Sequence, residues 1–263
     1  MIPAADCAFL AALCGSRAGL RLDSDKAYLI ESRLGPVARR EGYATPEVLI
    51  DVLRQGGDER LSWAAVEAMA LPEGEFFRDR DVFQRLVDEV IPGLIRQRAG
   101  RPVRIWSAAC GTGQEIYSLA MLLADRPELA KSCELYASDL SERSLEKAQS
   151  GLYSQFEVQR GLPSRLLVRH FEKRGESFAL SPRIRQMIRW RRVNLMDDLS
   201  RLGPFDLVLC RNMLSQLAPP ALGPVRAHLR TTLAPGGRLL LGMKEEGQGD
   251  LEPVASEMGL YAA

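Results

Sequence analysis

Through the first seventy positions apolar residues recur at three- and four-residue spacing, in segments such as KAYLIESRLGPVARREG and PEVLIDVLRQGG. That is the period of one helical face. Gly42 and the Gly56-Gly57 pair fit helix stops, Pro46 fits a helix start, and no β-branched alternation occurs. The pattern predicts a small helical domain over residues 1–71. It gives way to LPEGEFFRDRDVF, where Pro72 and Gly74 break the chain before an amphipathic stretch from about Asp79 to Arg98. From Val103 short apolar runs alternate with helical segments. Strands are predicted at 103–107, 133–139, 205–210 and 237–242, and helices at 114–125, 141–150 and 219–233. Such alternation predicts an α/β fold, with a mostly parallel sheet covered on both faces. Residues 153–193 interrupt the rhythm with strand-like pieces around a Gly turn, which predicts a small antiparallel insertion in a domain running over 72–263.

Composition removes several classes of function. The 35 basic and 34 acidic residues leave a net charge of +1, which argues against bulk electrostatic binding to nucleic acid or membrane. Cys7, Cys14, Cys110, Cys133 and Cys210 are scattered, without a C-x-x-C pair, and His170 and His228 stand alone. Reduced thiols, a cytoplasmic location and no structural metal are expected. The N-terminal stretch lacks both a basic start and a long apolar core, so neither a signal peptide nor a membrane span is expected.

The chemistry is carried by RIWSAACGTGQEIYSLAM at 104–121, where a predicted strand ends in small residues and passes directly into a helix. In open α/β sheets ligands lie beyond the carboxyl ends of the strands. Gly111 and Gly113 permit close backbone approach, and the following helix offers its N-terminal N–H groups. Asp139 ends the next predicted strand, where an acidic residue commonly receives the hydroxyls of a ribose. Loop and carboxylate together suggest an adenosine-containing cofactor. G-T-G is an incomplete dinucleotide fingerprint. Glu115, close behind it, suits the amino-acid end of S-adenosylmethionine better than a diphosphate. A tight strand-to-helix turn that binds nothing is the simpler alternative.

EFFRDRDVF, WSAACGTGQEIYSLAM, YASDLSERSLEKAQSGLY, VNLMD, FDLVLCRNML and LAPGGRLLLG together resemble, in order, the CheR-type chemotaxis receptor methyltransferases. The resemblance spans roughly residues 25–245. It implies a class I, Rossmann-like S-adenosylmethionine-dependent methyltransferase domain with a small antiparallel β-subdomain inserted in it, behind an N-terminal helical domain. It implies methyl transfer from S-adenosyl-L-methionine to glutamate side chains on a chemoreceptor's cytoplasmic helices, with S-adenosyl-L-homocysteine as product. By matching position, Arg78 pairs with the cofactor's carboxylate, Glu115 faces its amino-acid or ribose end, and Asp139 takes the ribose hydroxyls. Asn194 and Leu195 border the adenine. Arg211 and Asn212 line the methyl-transfer mouth, with Arg211 able to orient the incoming glutamate. Phe76, Phe77, Tyr117, Met121, Trp106 and Cys210 read as core.

The chain also departs from the pattern. Pro72 and Gly74 stand where the family has a polar Asn and Thr, Gln114 replaces the first glutamate of a G-E-E, and Gln216 and Leu217 replace a Tyr-Phe pair. These changes leave open an impaired CheR-like module that binds S-adenosylmethionine or S-adenosylhomocysteine for signalling. A methyltransferase for RNA or a small molecule is a third class, disfavoured by the lack of a basic run or stacking platform. Lys26, Arg33, Arg39 and Arg40 are candidates for docking a receptor, although residues 1–71 hold 8 basic and 10 acidic residues. EKRGESFAL has one Gly and no Gly-rich insertion, so recognition independent of a receptor's C-terminal pentapeptide is expected, by a monomer.

Overall fold

Four helices carry the N-terminal periodicity: α1 (Ala4–Ala18), α2 (Ala27–Arg40), α3 (Pro46–Arg54) and α4 (Glu59–Met69). The structure is a computed structural model describing residues 2–23, 27–56, 58–70, 74–245 and 251–262. Gly19 closes α1 at φ 66°, returning its N–H to carbonyls of the last turn. Pro46 opens α3 behind Thr45, whose hydroxyl accepts the Val48 N–H, and Asp58 caps α4 through the Arg60 N–H. Leu10, Leu34, Leu49, Ile50, Ala65 and Val66 form the buried interior.

This first compact unit comprises residues 1–71 together with 214–227; the second comprises 72–213 and 228–263. The expected single cut after residue 71 therefore leaves out a segment of the helical unit. Leu217 bridges Leu20, the Arg21 N–H donates to the Gln216 carbonyl, and Ala218 donates to Gly19. Backbone pairing between distant segments leaves no mark in hydrophobic spacing.

In the second unit α5 (Arg80–Arg85), a π turn (Leu86–Val90) and α6 (Ile91–Arg98) run on from one another, covering the predicted amphipathic stretch. They lead into β1 (Val103–Ala108), α7 (Gln114–Ala124), α8 (Pro127–Lys131), β2 (Cys133–Asp139) and α9 (Glu142–Ser150). The insertion holds β3 (Leu152–Ser154), α10 (Gln155–Gln159), α11 (Ser164–His170), β4 (Phe171–Arg174), β5 (Ser177–Leu180) and α12 (Pro182–Arg185). After it come β6 (Ile188–Arg192), β7 (Phe205–Cys210), then α13 (Pro219–Thr231), whose residues up to 227 belong to the first unit, and β8 (Leu233–Leu241), β9 (Glu252–Ala255) and β10 (Leu260–Ala262).

The insertion forms a three-stranded antiparallel sheet in the order β3-β5-β4. Its expected extent over 153–193 is too long at the carboxyl end. Ile188–Arg192 belongs to the main sheet, paired in parallel with β2 from Leu135↔Ile188 to Asp139↔Arg192. The sequence IRWRR hid this strand, because an edge strand protected by charge needs no continuous apolar run.

The main sheet has seven strands in the order β6-β2-β1-β7-β8-β10-β9. The first five are parallel, and β10 and β9 close the far side antiparallel. From β1 the chain moves outward to β2 and β6, then returns on the other side of β1 with β7 and β8. The order therefore reverses between β1 and β7, and the crevice beyond their carboxyl ends is where this architecture places ligands. β1 and β7 are level there, with Ser107 opposite Leu209, and Leu207 and Leu209 are fully buried.

Candidate active site

Four turns meet the carboxyl edge of the sheet, and their backbones are strained. Among the described residues five non-glycines have positive φ, and four of them lie here: Phe77, Asp79, Ala109 and Asn212. A cluster of this kind persists only where surrounding contacts over-determine it, and it is typical of functional sites.

The loop after β1 places Gly111 at φ 55° and Gly113 at φ 90°. A Cβ on Gly113 would stand 3.0 Å from that of Ala148 and 3.2 Å from the rings of Trp190 and Tyr117, so this glycine lets the helix start pack closely. Asp139, at the end of β2, fixes the loop. One of its oxygens accepts the Gly111 N–H at 2.8 Å and the other the Ser141 N–H at 2.9 Å. Ser141 in turn caps α9, through the Ser144 N–H. From the insertion, the Tyr153 hydroxyl donates to the Thr112 carbonyl at 2.7 Å. Burial pushes the Asp139 carboxyl above its ordinary range, and the backbone N–H groups pull it partly back.

Arg211, directly after β7, knits three segments together. Its side chain is 0% exposed. One terminal nitrogen donates to Glu115 at 3.0 Å and to the Arg78 carbonyl at 3.1 Å. The other donates to Asp79 at 2.5 Å, and the guanidinium lies 5.5 Å above the Phe83 ring. Its Nε is buried without a partner. Glu115 sits in the first turn of α7, where the helix dipole favours a carboxylate. Burial still raises its pKa, with Arg211 as the main opposing influence. Ahead of Arg78, the Phe77 N–H donates to the Ser118 hydroxyl at 2.9 Å, and both phenylalanines are buried.

The remaining sequence-derived candidates sit at the same edge. Asn194 follows β6 and accepts the Met196 N–H on its own side chain, while Leu195 is 6% exposed and its carbonyl meets His228 at 3.1 Å. Asn212 donates its N–H to Glu245 at 2.7 Å. Among the departures, Pro72 lies outside the described residues. A Cβ on Gly74 would collide with the Gln114 carboxamide, so two of the substitutions occupy one space. Gln216 belongs to the first unit.

Asp79, Tyr153 and Glu245 were not singled out in the sequence. Asp79 had a signal, since it adjoins Arg78 in FFRD. Tyr153 and Glu245 act from the insertion and from the turn after β8, with no local pattern to mark them. Among the described residues no group of three His, Cys, Asp or Glu side chains is placed to hold a metal, and no helix is long and apolar enough to cross a membrane.

A family model described as the CheR methyltransferase, SAM binding domain matches residues 73–258. The chain belongs to the CheR methyltransferase family. "Chemotaxis protein methyltransferase 1" of Pseudomonas aeruginosa is 36% identical over 235 residues, covering 86% of this chain and 85% of that protein. "Chemotaxis protein methyltransferase Cher2" of Pseudomonas putida is 34% identical over 233 residues, covering 86% and 85%. The "Probable biofilm formation methyltransferase WspC" of Pseudomonas aeruginosa is 33% identical over 238 residues, covering 89% of this chain and 55% of that one. The cofactor is S-adenosylmethionine, and the site suits it. A carboxylate offers about four lone-pair sites, more than the Gly111 and Ser141 N–H groups fill, so Asp139 retains acceptor capacity for ribose hydroxyls. The CheR domain thus has its Gly loop, its carboxylate and its positive-φ turns at one sheet edge.

Proposed function

We propose that the chain transfers the methyl group of S-adenosylmethionine to glutamate side chains on the cytoplasmic helices of a chemoreceptor, giving methyl esters and S-adenosylhomocysteine. The observation that carries this reading is Asp139 holding the Gly111 loop at the switch point, beside the cluster built on Arg211. When bound, the cofactor supplies an activated methyl group on a positively charged sulfur.

In this reading Asp139 accepts the ribose hydroxyls, Gly111 and Gly113 let the backbone approach, and Asn194 and Leu195 border the adenine. Arg78 pairs with the cofactor's carboxylate, a task suited to a guanidinium. Glu115 faces the amino-acid end, and Arg211 and Asn212 shape the mouth where transfer occurs. Arg211 is fully buried and committed to two carboxylates, which favours a supporting role, holding the turn that presents Arg78, over contact with the acceptor.

A free glutamate has a pKa of about 4.3, so at neutral pH the acceptor is already ionised and needs no general base. The protein's work is to align acceptor and donor and to exclude water from opposite charges that cancel in the reaction. No histidine or thiol is required at the site, and His170, Cys110 and Cys210 are buried. The β4–β5 hairpin turns through Gly175 and Glu176 alone, which supports recognition of the receptor without its C-terminal pentapeptide. The protein acts as a monomer in the cytoplasm.

The test is incubation with tritiated S-adenosylmethionine and receptor cytoplasmic fragments that lack a C-terminal pentapeptide. Base-labile methyl esters are expected on glutamates. Cofactor binding without ester formation overturns the proposal.

A further inference from the structure

The turn after β8 reaches across to the turn after β7 through one carboxylate. A single oxygen of Glu245 accepts the Asn212 N–H at 2.7 Å and the Gly242 N–H at 2.8 Å. The Glu245 N–H in turn donates to the Gly242 carbonyl at 2.8 Å, so residues 242–245 form a tight turn with the carboxylate folded back over it. The two strands are level where the turns begin, with Cys210 opposite Leu241.

Three features mark this contact as more than a loop closure. Asn212 is held at φ 59°, a left-handed backbone that asparagine tolerates better than other non-glycines and that the Glu245 carboxylate meets through the Asn212 N–H. Gly242 has no room for a side chain: a Cβ there would stand 2.7 Å from the Asn212 amide oxygen and 2.9 Å from both the Asn212 nitrogen and the Glu245 oxygen. Finally, Glu245 lies near enough to Glu115 to push that carboxyl's pKa up, at a site that already has Asp79 close to Arg211. A glycine, a left-handed asparagine and a carboxylate thus interlock at the edge where Arg211 organises the site.

We propose that Glu245 is a positioning residue for methyl transfer: it pins the Asn212 turn in its left-handed conformation, and so holds Asn212 where transfer takes place. This rests on the glutamate methyltransferase reading above. Asp139 ties the loop after β1 to the end of β2, whereas Glu245 ties the turns after β7 and β8, so cofactor grip and alignment are separable. Both N–H groups meet one oxygen, and a glutamine offers an equivalent acceptor.

The test compares the full-length wild type with Glu245→Ala and Glu245→Gln, by ester formation on receptor fragments, by titration with S-adenosylhomocysteine, and by hydrogen exchange of the Asn212 amide. Expected for Glu245→Ala is a kcat lower by about tenfold or more, with product affinity within about threefold of wild type and loss of Asn212 amide protection. Glu245→Gln is expected to restore both kcat and protection. Three results each overturn the proposal: an alanine variant as active as wild type, a glutamine variant as poor as alanine, or a kcat loss matched by an equal loss of affinity. A wild type that forms no esters defeats the underlying reading instead, and the exchange of Asn212 then decides whether the pin exists. An Asn212 amide unprotected in wild type overturns it outright.

Discussion

The two ends of the main sheet each carry an arginine–aspartate pair with one partner buried, Asp206 at one end and Arg211 at the other, and they are built for different purposes. At the amino ends, Arg98 pairs with Asp206, and the other Asp206 oxygen accepts the Arg104 N–H at 2.8 Å. Trp106 stacks on Phe205, and Arg104 lies over the Phe205 and Tyr136 rings. Asp206 and Arg104 lie within β7 and β1, with a shift of the β7–β8 register at Asp206. At the carboxyl ends, Arg211 holds two carboxylates and a carbonyl and leaves its Nε without a partner, and four positive-φ non-glycines lie in the turns of that edge. One end pairs its charges, with Ala99 beside Arg98 as its single positive-φ non-glycine among the described residues. The other keeps excess negative charge and strain in place, which a binding site for a cationic ligand requires and a purely structural edge does not.

Breaking the two pairs separately should give the largest effects. Arg98→Met and Arg211→Met each strand buried carboxylate, so each should destabilise the fold by about 3 kcal/mol in denaturant titration. Ester formation per folded molecule should survive Arg98→Met, and fall by more than about tenfold in Arg211→Met, because the turn presenting Arg78 is released. Equal retention of activity in both variants would erase the distinction between the two ends.

Acid sharpens the contrast next. Burial raises the pKa of both Asp139 and Glu115, so the folded chain binds their protons more tightly than the unfolded chain does. Their contribution to stability is complete below the ordinary carboxylate range and is lost as pH rises through the raised values. Cofactor binding needs the ionised forms and runs the opposite way. Acidification through the window above pH ~4 should therefore weaken S-adenosylmethionine binding while these two groups stabilise the ligand-free fold. Calorimetric titration and thermal unfolding over that window read the two trends, and parallel trends would contradict the assignment.

The smallest effect is expected at Gln216. An ionised acceptor needs no proton removed, so Gln216→Tyr should change the turnover of receptor fragments by no more than about threefold. A large gain would mean that the missing tyrosine limits the natural chain.

What the sequence disclosed follows the same division. β1 and β7 were legible because strands buried on both faces read as short apolar runs, and Gly111, Gly113 and Asp139 were legible because their spacing is local. β6 was not, since arginines cover an edge strand. The 214–227 segment was not, since its pairing with residues 19–21 is purely backbone. At the site, Arg78 and Arg211 were found as separate motifs 133 positions apart, but nothing local shows that Arg211 donates to the Arg78 carbonyl. Asp79, Tyr153 and Glu245 act through backbone groups of other segments, and that kind of contact exists only once the chain has folded.

The most direct measurement is calorimetric titration of wild type and Asp139→Ala with S-adenosylmethionine. Saturable binding is expected for wild type and a loss of about 100-fold or more in the variant, the equivalent of one or two hydrogen bonds to a charged group, with the variant still folded. Undiminished affinity in a folded Asp139→Ala protein would contradict the role of Asp139 as acceptor of the ribose hydroxyls.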